Sequence, residues 1–228
     1  RSPSRGLGDV YKRQVVLTPQ ITSIYNYTHN CGANVMGFGI NGNRLYIPCT
    51  TPKIIDISTI GAFSELSDGS AVVPRPDGID FAISGNYGFS SEDGKLRVYD
   101  VSSDTFSFVT EIPYSVSTFR NLNEMIIDGN YLYTSDYNEV KVYSFDISNP
   151  LSPVLVSNFT SPQIDWPEQI RLINGYLVFN HFNNNNKVFI DISNPTNLSQ
   201  AGFLTSAGGG WGSAMTITDN NLFTCDSG

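Results

Sequence analysis

The feature that most restricts this chain is a period. Asp56-Ile57-Ser58 returns as Asp100-Val101-Ser102, Asp146-Ile147-Ser148 and Asp191-Ile192-Ser193, at spacings of 44, 46 and 45 residues. A second marker keeps step: an apolar residue, a turn around Gly, then a strand rich in Leu and aromatics. It appears as Ile40-Asn41-Gly42-Asn43-Arg44-Leu45-Tyr46 and returns as Ile83-Ser84-Gly85-Asn86-Tyr87-Gly88-Phe89. Two further copies are Ile127-Asp128-Gly129-Asn130-Tyr131-Leu132-Tyr133 and Ile173-Asn174-Gly175-Tyr176-Leu177-Val178-Phe179. A fifth begins at Thr218-Asp219-Asn220-Asn221-Leu222-Phe223. Two markers sharing one period imply a repeat architecture.

The runs between turn signals are short, alternate in polarity and favour Val, Ile, Tyr and Phe, which are strand features. Asp128-Gly129-Asn130 and Asn41-Gly42-Asn43 read as hairpin turns, because Gly and Asn accept positive φ. The third repeat then holds four strands, near 123–127, 131–135, 140–146 and 154–158. No segment resembles an amphipathic helix. Four strands in about 45 residues, repeated, predict an all-β fold of four-stranded antiparallel blades, a β-propeller. The blades are expected near 34–66, 78–110, 123–158 and 169–204, with an incomplete one at 214–228. A solenoid is the rival, but its repeats are usually shorter or helical.

The third and fourth repeats carry a family resemblance. Val140 to Val156, with Asp146-Ile147-Ser148-Asn149-Pro150 at its centre and Pro153 before the outer strand, closely resembles the LVIVD-repeat proteins. Lys187 to Pro195 matches too but lacks the second Pro, and the first two repeats depart further after Ser58 and Ser102. The resemblance covers about residues 34 to 228. It implies a propeller scaffold of a bacterial and archaeal family, often exported or surface-attached, and supplies no catalytic motif. WD40 repeats are excluded by the lack of a Gly-His or Trp-Asp signature, and kelch repeats because Gly208-Gly209-Gly210 occurs once.

Arg1 to Gln14 lies outside the pattern. It lacks the apolar core of a secretory signal and resembles translated sequencing-adapter sequence; the competing reading is a natural basic arm. The partial propeller is therefore expected over 15–228. The whole chain has 13 Lys and Arg against 21 Asp and Glu, a net charge of −8. Without the leader, nine basic residues face twenty acidic ones, a net charge of −11. That balance argues against a nucleic-acid partner, which would need clustered cations. No run of eighteen apolar residues exists to span a membrane. Val15-Val16-Leu17 reads as the outer strand of a preceding blade, and Leu222 to Cys225 as a second strand. The chain is thus expected to be a fragment of a longer, extracellular, cell-surface or periplasmic protein.

The propeller expectation also says where a site would lie. The first strand of each blade lines the central channel. The loops entering it share a face with the loops between second and third strands, while the Gly turns and Asp-Ile-Ser turns occupy the opposite face. Candidates on the variable loop face are Arg75, Asp77, Arg120, Asp165, Trp166, Glu168, His181 and Trp211. Both Trp residues sit nine before their repeat's turn, and packing between blades is the competing reading. Asp80 and Glu124, each five before its repeat's Gly, are channel candidates: a carboxylate pair for a cation or acid–base work, or simply solvated groups. No residue is assigned as catalytic or as a metal ligand. With only His29 and His181, no nucleophile elbow and no phosphate loop, the usual constellations are missing. Calcium is the lesser alternative at acidic loops such as Glu92-Asp93, although no spaced Asp-x-Asp-x-Asp loop exists. Cys31 and Cys49 end on one face, where a disulfide is sterically allowed; Cys225 has no evident partner. The expectation is a non-catalytic scaffold that binds a protein or carbohydrate, without a cofactor. The alternative is a propeller hydrolase or lyase acting on an extracellular polymer through Asp80, Glu124 and His181.

Overall fold

The computed structural model describes residues 37–49, 51–59, 62–68, 73–74, 76, 80–116, 124–164, 167–181, 186–205, 214–218 and 221–225; of Glu168, His181, Ala214 and Cys225 it describes the backbone only. Among the described residues, eighteen strands form four four-stranded antiparallel sheets and one pair. The first blade is β1 (Gly39–Asn41), β2 (Arg44–Ile47), β3 (Lys53–Asp56) and β4 (Ser64–Asp68). The second is β5 (Phe81–Ser84), β6 (Tyr87–Glu92), β7 (Lys95–Asp100) and β8 (Ser107–Pro113). The third is β9 (Met125–Asp128), β10 (Tyr131–Asp136), β11 (Lys141–Asp146) and β12 (Val154–Phe159). The fourth is β13 (Pro167–Ile173), β14 (Tyr176–His181), β15 (Asn186–Asp191) and β16 (Ser199–Thr205), and β17 (Ala214–Thr218) pairs with β18 (Asn221–Cys225). Consecutive strands neighbour one another in every blade, and first strands of successive blades touch, so β1, β5, β9, β13 and β17 form the inner rim. The third blade's strands fall within two residues of the sequence expectation. One difference has a backbone cause: Val140 sits at φ 54°, so β11 starts after it.

The recurring tripeptide is a turn device. Asp56, Asp100, Asp146 and Asp191 each accept the amide of the Ser two residues on, at 2.7, 2.8, 2.8 and 2.8 Å. Bonds from the hydroxyl and the amide of that Ser hold all four carboxyls below the usual range. The intervening Ile or Val then donates its amide to the hairpin turn beside it: Ile57 to Asn43, Val101 to Asn86, Ile147 to Asn130 and Ile192 to Gly175. The two markers keep one period because they are bonded to each other on one face of each blade. The hairpins themselves differ. Asp128 pairs with Tyr131 across Gly129-Asn130, where only the Gly has positive φ (56°). Ile173 pairs with Tyr176 across Asn174-Gly175, where both do (49° and 78°). The fourth hairpin is therefore shifted by one residue relative to its glycine.

Blades bury both faces. Tyr46 and Ile54 of the first meet Phe81, Tyr99, Val101 and Phe106 of the second. Phe89, Leu96 and Val98 meet Met125, Leu132, Tyr143, Phe145 and Ile147 of the third. Tyr133 and Val142 meet Ile170, Leu177, Phe179, Val188, Ile190 and Ile192 of the fourth. One position explains an oddity of the second repeat. Leu45, Leu132 and Leu177 follow the hairpin turns of their blades, but the second blade has Gly88 there. The ring of Phe81 lies against the Gly88 backbone, so that a Cβ there would overlap it. Phe81 is itself boxed by Tyr46, Tyr99 and Phe106, with ring centroids 6.0, 6.3 and 5.7 Å away. In the third and fourth blades the same pair of positions holds Met125 with Leu132 and Ile170 with Leu177. Volume has moved from one strand to its neighbour.

Gly88→Leu alone is expected to destabilise the fold by about 1–3 kcal/mol, as overpacking does. Adding Phe81→Met should recover most of that loss in urea titrations; a double variant no more stable than Gly88→Leu would show that the positions are not one packing unit. Asp146→Ala should lower the unfolding midpoint at neutral pH. Because the Asp146 carboxyl is held low, its contribution is present above about pH 4 and disappears on acidification, so wild type and variant should converge in acid.

Candidate functional site

The inner rim is the part of the expected site that can be built atom by atom. Asp80 precedes β5, and its two carboxylate oxygens do different work. Oδ1 accepts the amide of Phe81 at 2.9 Å, and Oδ2 accepts the amide of Met125, in the next blade, at 2.8 Å. Glu124 precedes β9 and repeats the second contact. Its Oε2 accepts the amide of Ile170 in the fourth blade at 2.6 Å, and also the Arg171 guanidinium at 2.9 Å. Gln169 continues the series: its Oε1 accepts the amide of Met215 at 3.0 Å. All three occupy the fourth residue before the end of their blade's first strand. The first blade has Gly37 there, with no side chain to reach across. A Cβ on Gly37 would overlap the Asp80 carboxylate, which takes that space and satisfies Phe81 from its own side.

Asp80 and Glu124 stand on adjacent blades at the inner rim, and each accepts a backbone amide of the following blade. Burial raises the Asp80 carboxyl to about 6, with Glu124 adding like charge; the Met125 and Phe81 amides and Arg171 oppose the rise. Burial also raises Glu124, against the pull of Arg171 and the Ile170 amide. Gln169 and Arg171 were not among the sequence candidates. Counting back from the glycine lands on Ile170 in the fourth repeat, because its hairpin is shifted by one residue. Counting from strand pairing lands on Gln169.

On the loop face, the second and third blades are tied by a polar cluster. Ser115 donates to Asp136 Oδ2 at 2.6 Å and stands 3.0 Å from Glu139 Oε1. Glu139 also accepts the Val116 amide, Lys141 and the Tyr143 hydroxyl. Burial pushes the Glu139 carboxyl up, but its bonds from Lys141, Tyr143, Val116 and Ser115 prevail and hold it at about 2. Glu92 pairs with Arg97 at 2.5 Å, and Glu111 with Lys95 at 2.7 Å. Among the described residues, no three His, Cys, Asp or Glu side chains are grouped to hold a metal, and no helix is long and apolar enough to cross a membrane.

The remaining loop-face candidates lie beyond what is described. Arg75, Asp77, Arg120, Asp165, Trp166 and Trp211 fall outside the described residues, and only the backbones of Glu168, within β13, and His181, at the end of β14, are placed. Cys49 is buried and disulfide-bonded, while Cys31 falls outside the described residues.

Glu124→Ala should destabilise the fold by about 1–3 kcal/mol, because it leaves the buried Ile170 amide without its acceptor. Glu124→Gln, which keeps an acceptor oxygen, should cost less in the same chemical denaturation. Equal losses from both would show that the amide contact contributes nothing.

Residues 121–161 and 179–205 match the LVIVD repeat. No curated protein sequence matches the chain. In fold it is similar to a protein from Lactobacillus plantarum, at 12% identity and a TM-score of 0.66, covering 83% of this chain and 63% of that one. The periplasmic gluconolactonase PpgL of Pseudomonas aeruginosa has 13% identity and a TM-score of 0.66, over 88% of this chain and 67% of that one. A putative 6-phosphogluconolactonase from Bacteroides uniformis has 13% identity and a TM-score of 0.64, over 84% and 64%. At these identities the likeness is one of fold. The chain spans less than two thirds of the Lactobacillus plantarum protein.

Proposed function

We propose that this LVIVD-repeat β-propeller is an exported scaffold that binds a protein or carbohydrate ligand through its loop face. The observation that carries this reading is the unequal treatment of the two faces. The hairpin-turn face repeats one device four times, with the same Asp-to-Ser bond and the same amide-to-turn bond. The described loop face differs between the second and third blades: Glu92 with Arg97 in the second, and Asp136 and Glu139 around Ser115 in the third. A scaffold that keeps one face constant and varies the other is suited to recognition. The binding residues of this reading are Arg75, Asp77, Arg120, Asp165, Trp166, Glu168, His181 and Trp211, since Trp and Arg supply interface energy out of proportion to their number. The disulfide at Cys49 supports export, because such bonds persist in oxidising compartments.

One observation favours the alternative of a hydrolase or lyase. Asp80 is a half-buried carboxyl that desolvation raises to about 6 beside Glu124, and perturbed carboxyls cluster at catalytic sites. Both Asp80 oxygens already accept backbone amides, which supports the scaffold reading instead. The named lactonases of similar fold make lactone hydrolysis an assay worth running. The deciding experiment is a glycan-array and protein-capture screen of the chain, with hits measured calorimetrically. Arg120→Ala and Trp211→Ala are expected to weaken a hit at least about ten-fold, and Asn149→Ala on the opposite face to leave it unchanged. Turnover of a polymer or lactone that Asp80→Asn abolishes would replace the scaffold reading with the enzyme one.

A further inference from the structure

The face that a blade turns toward its successor is closed in the second and third blades and open along its outer part in the fourth. Strand pairing makes Tyr87, Tyr131 and Tyr176 equivalent. It does the same for Ile112, Phe159 and Leu204, and for Val98, Ser144 and Phe189. Tyr87 and Ile112 pack against a core that includes Phe145 and Ile147 of the third blade, and Val98 is fully buried. Tyr131 and Phe159 pack against Ile190 and Ile192 of the fourth, and Ser144 is fully buried. In the fourth blade Tyr176 is 38% and Leu204 57% exposed. With Phe189, Ala201, Gly202 and Phe203 they line an apolar groove. A Cβ at Gly202 would meet nothing within 4 Å.

The inner part of the same face is already occupied. β17 lies along β13, Met215 is buried, and its amide reaches Gln169. β18 pairs with β17 on one side; among the described residues its other edge pairs with no strand. In the third and fourth blades that edge carries a third strand, which runs into Phe145-Asp146-Ile147 and Ile190-Asp191-Ile192. The four apolar side chains of these two segments are at most 5% exposed, and they close the counterparts of the groove in the second and third blades. The Asp-Ile/Val-Ser tripeptide occurs four times in the sequence, and the first four blades use all four copies.

We propose that this groove is a docking site for an extended β-hairpin of the chain's own outer-strand type, added in trans to the outer edge of β18. The strand that pairs with β18 carries apolar residues at alternate positions and ends in apolar-Asp-Ile/Val-Ser. Backbone bonds to β18 supply affinity, and the alternating side chains seated in the groove fix the register. The seam between the third and fourth blades is the pattern for this contact, because equivalent positions meet there. The seat is more apolar than its counterpart: Phe189 pairs with Gly202 where the third blade pairs Ser144 with Ser157. This surface lies on the broad side of the fourth blade, so it is independent of the ligand proposed for the loop face.

The probe is a fluorescently labelled synthetic peptide of residues 186–205, the outer hairpin of the fourth blade, titrated into the 228-residue chain. Saturable one-to-one binding is expected by fluorescence anisotropy, with slower hydrogen exchange of the β18 amides in the complex. Ile190→Asp in the peptide should weaken binding at least about ten-fold. Gly202→Phe and Leu204→Asp in the chain should each weaken it by at least about the same factor. Both sites are open, so the unfolding midpoint of the chain should hold in these variants; the peptide variant decides the question whatever they do to folding. Three results would each overturn the proposal. One is a lack of saturable binding, and another is binding indifferent to Ile190→Asp or to both chain variants. The third is a chain that self-associates without peptide, seen by light scattering and abolished by Leu204→Asp, which would assign the groove to a second copy.

Discussion

Every described blade that lies between two others depends on having apolar faces on both sides of one sheet. In the second blade Phe89, Leu96 and Val98 point one way and Phe81, Tyr99 and Val101 the other. In the third, Tyr133 and Val142 oppose Leu132, Tyr143 and Phe145. A sheet of twenty-odd residues with two apolar faces cannot satisfy both in isolation. It acquires a core only by stacking, as repeat architectures do. The order of the blades, the convergence of the first strands and the division into two loop faces all follow from that requirement.

Stacking by apolar contact alone leaves polar backbone at the inner rim, where the first strands of neighbouring blades meet. The rim residues solve this. Asp80, Glu124 and Gln169 each carry an oxygen to an amide of the next blade that would otherwise lack an acceptor. The hairpin-turn face uses a local solution instead, within each blade, through the Asp-to-Ser bonds. The two polar systems therefore have different reach: one terminates strands, the other joins blades. The loop face adds a third system, in which Ser115 links the exit of the second blade to Asp136 and Glu139 of the third. Unlike the hairpin-turn device, it is not repeated between the described second and third blades.

Much of this was legible in the residues. The period, the strand order and the turn role of Asp56, Asp100, Asp146 and Asp191 are local patterns, and local hydrogen bonds enforce them. Asp80 and Glu124 are legible as corresponding positions because each lies five residues before its repeat's Gly. Their partners are not. Met125 and Ile170 present backbone amides, which any residue type supplies, so no side-chain pattern marks them. Gln169 was hidden by a one-residue shift in the fourth hairpin, and Arg171 by the absence of any repeat of it in the other blades. Gly88, where the other blades have Leu, is one half of a cross-strand repacking with Phe81.

The sequence by itself determined that this is a propeller of four-stranded blades with a constant face and a variable one, because short-range turn chemistry and alternating polarity recur with the repeat. Only the tertiary structure decided what the two rim carboxylates do. A carboxylate in a sequence carries no record of its distance from a backbone amide some 45 residues away; the packing of one blade against the next sets that distance, and with it the burial that raises Asp80.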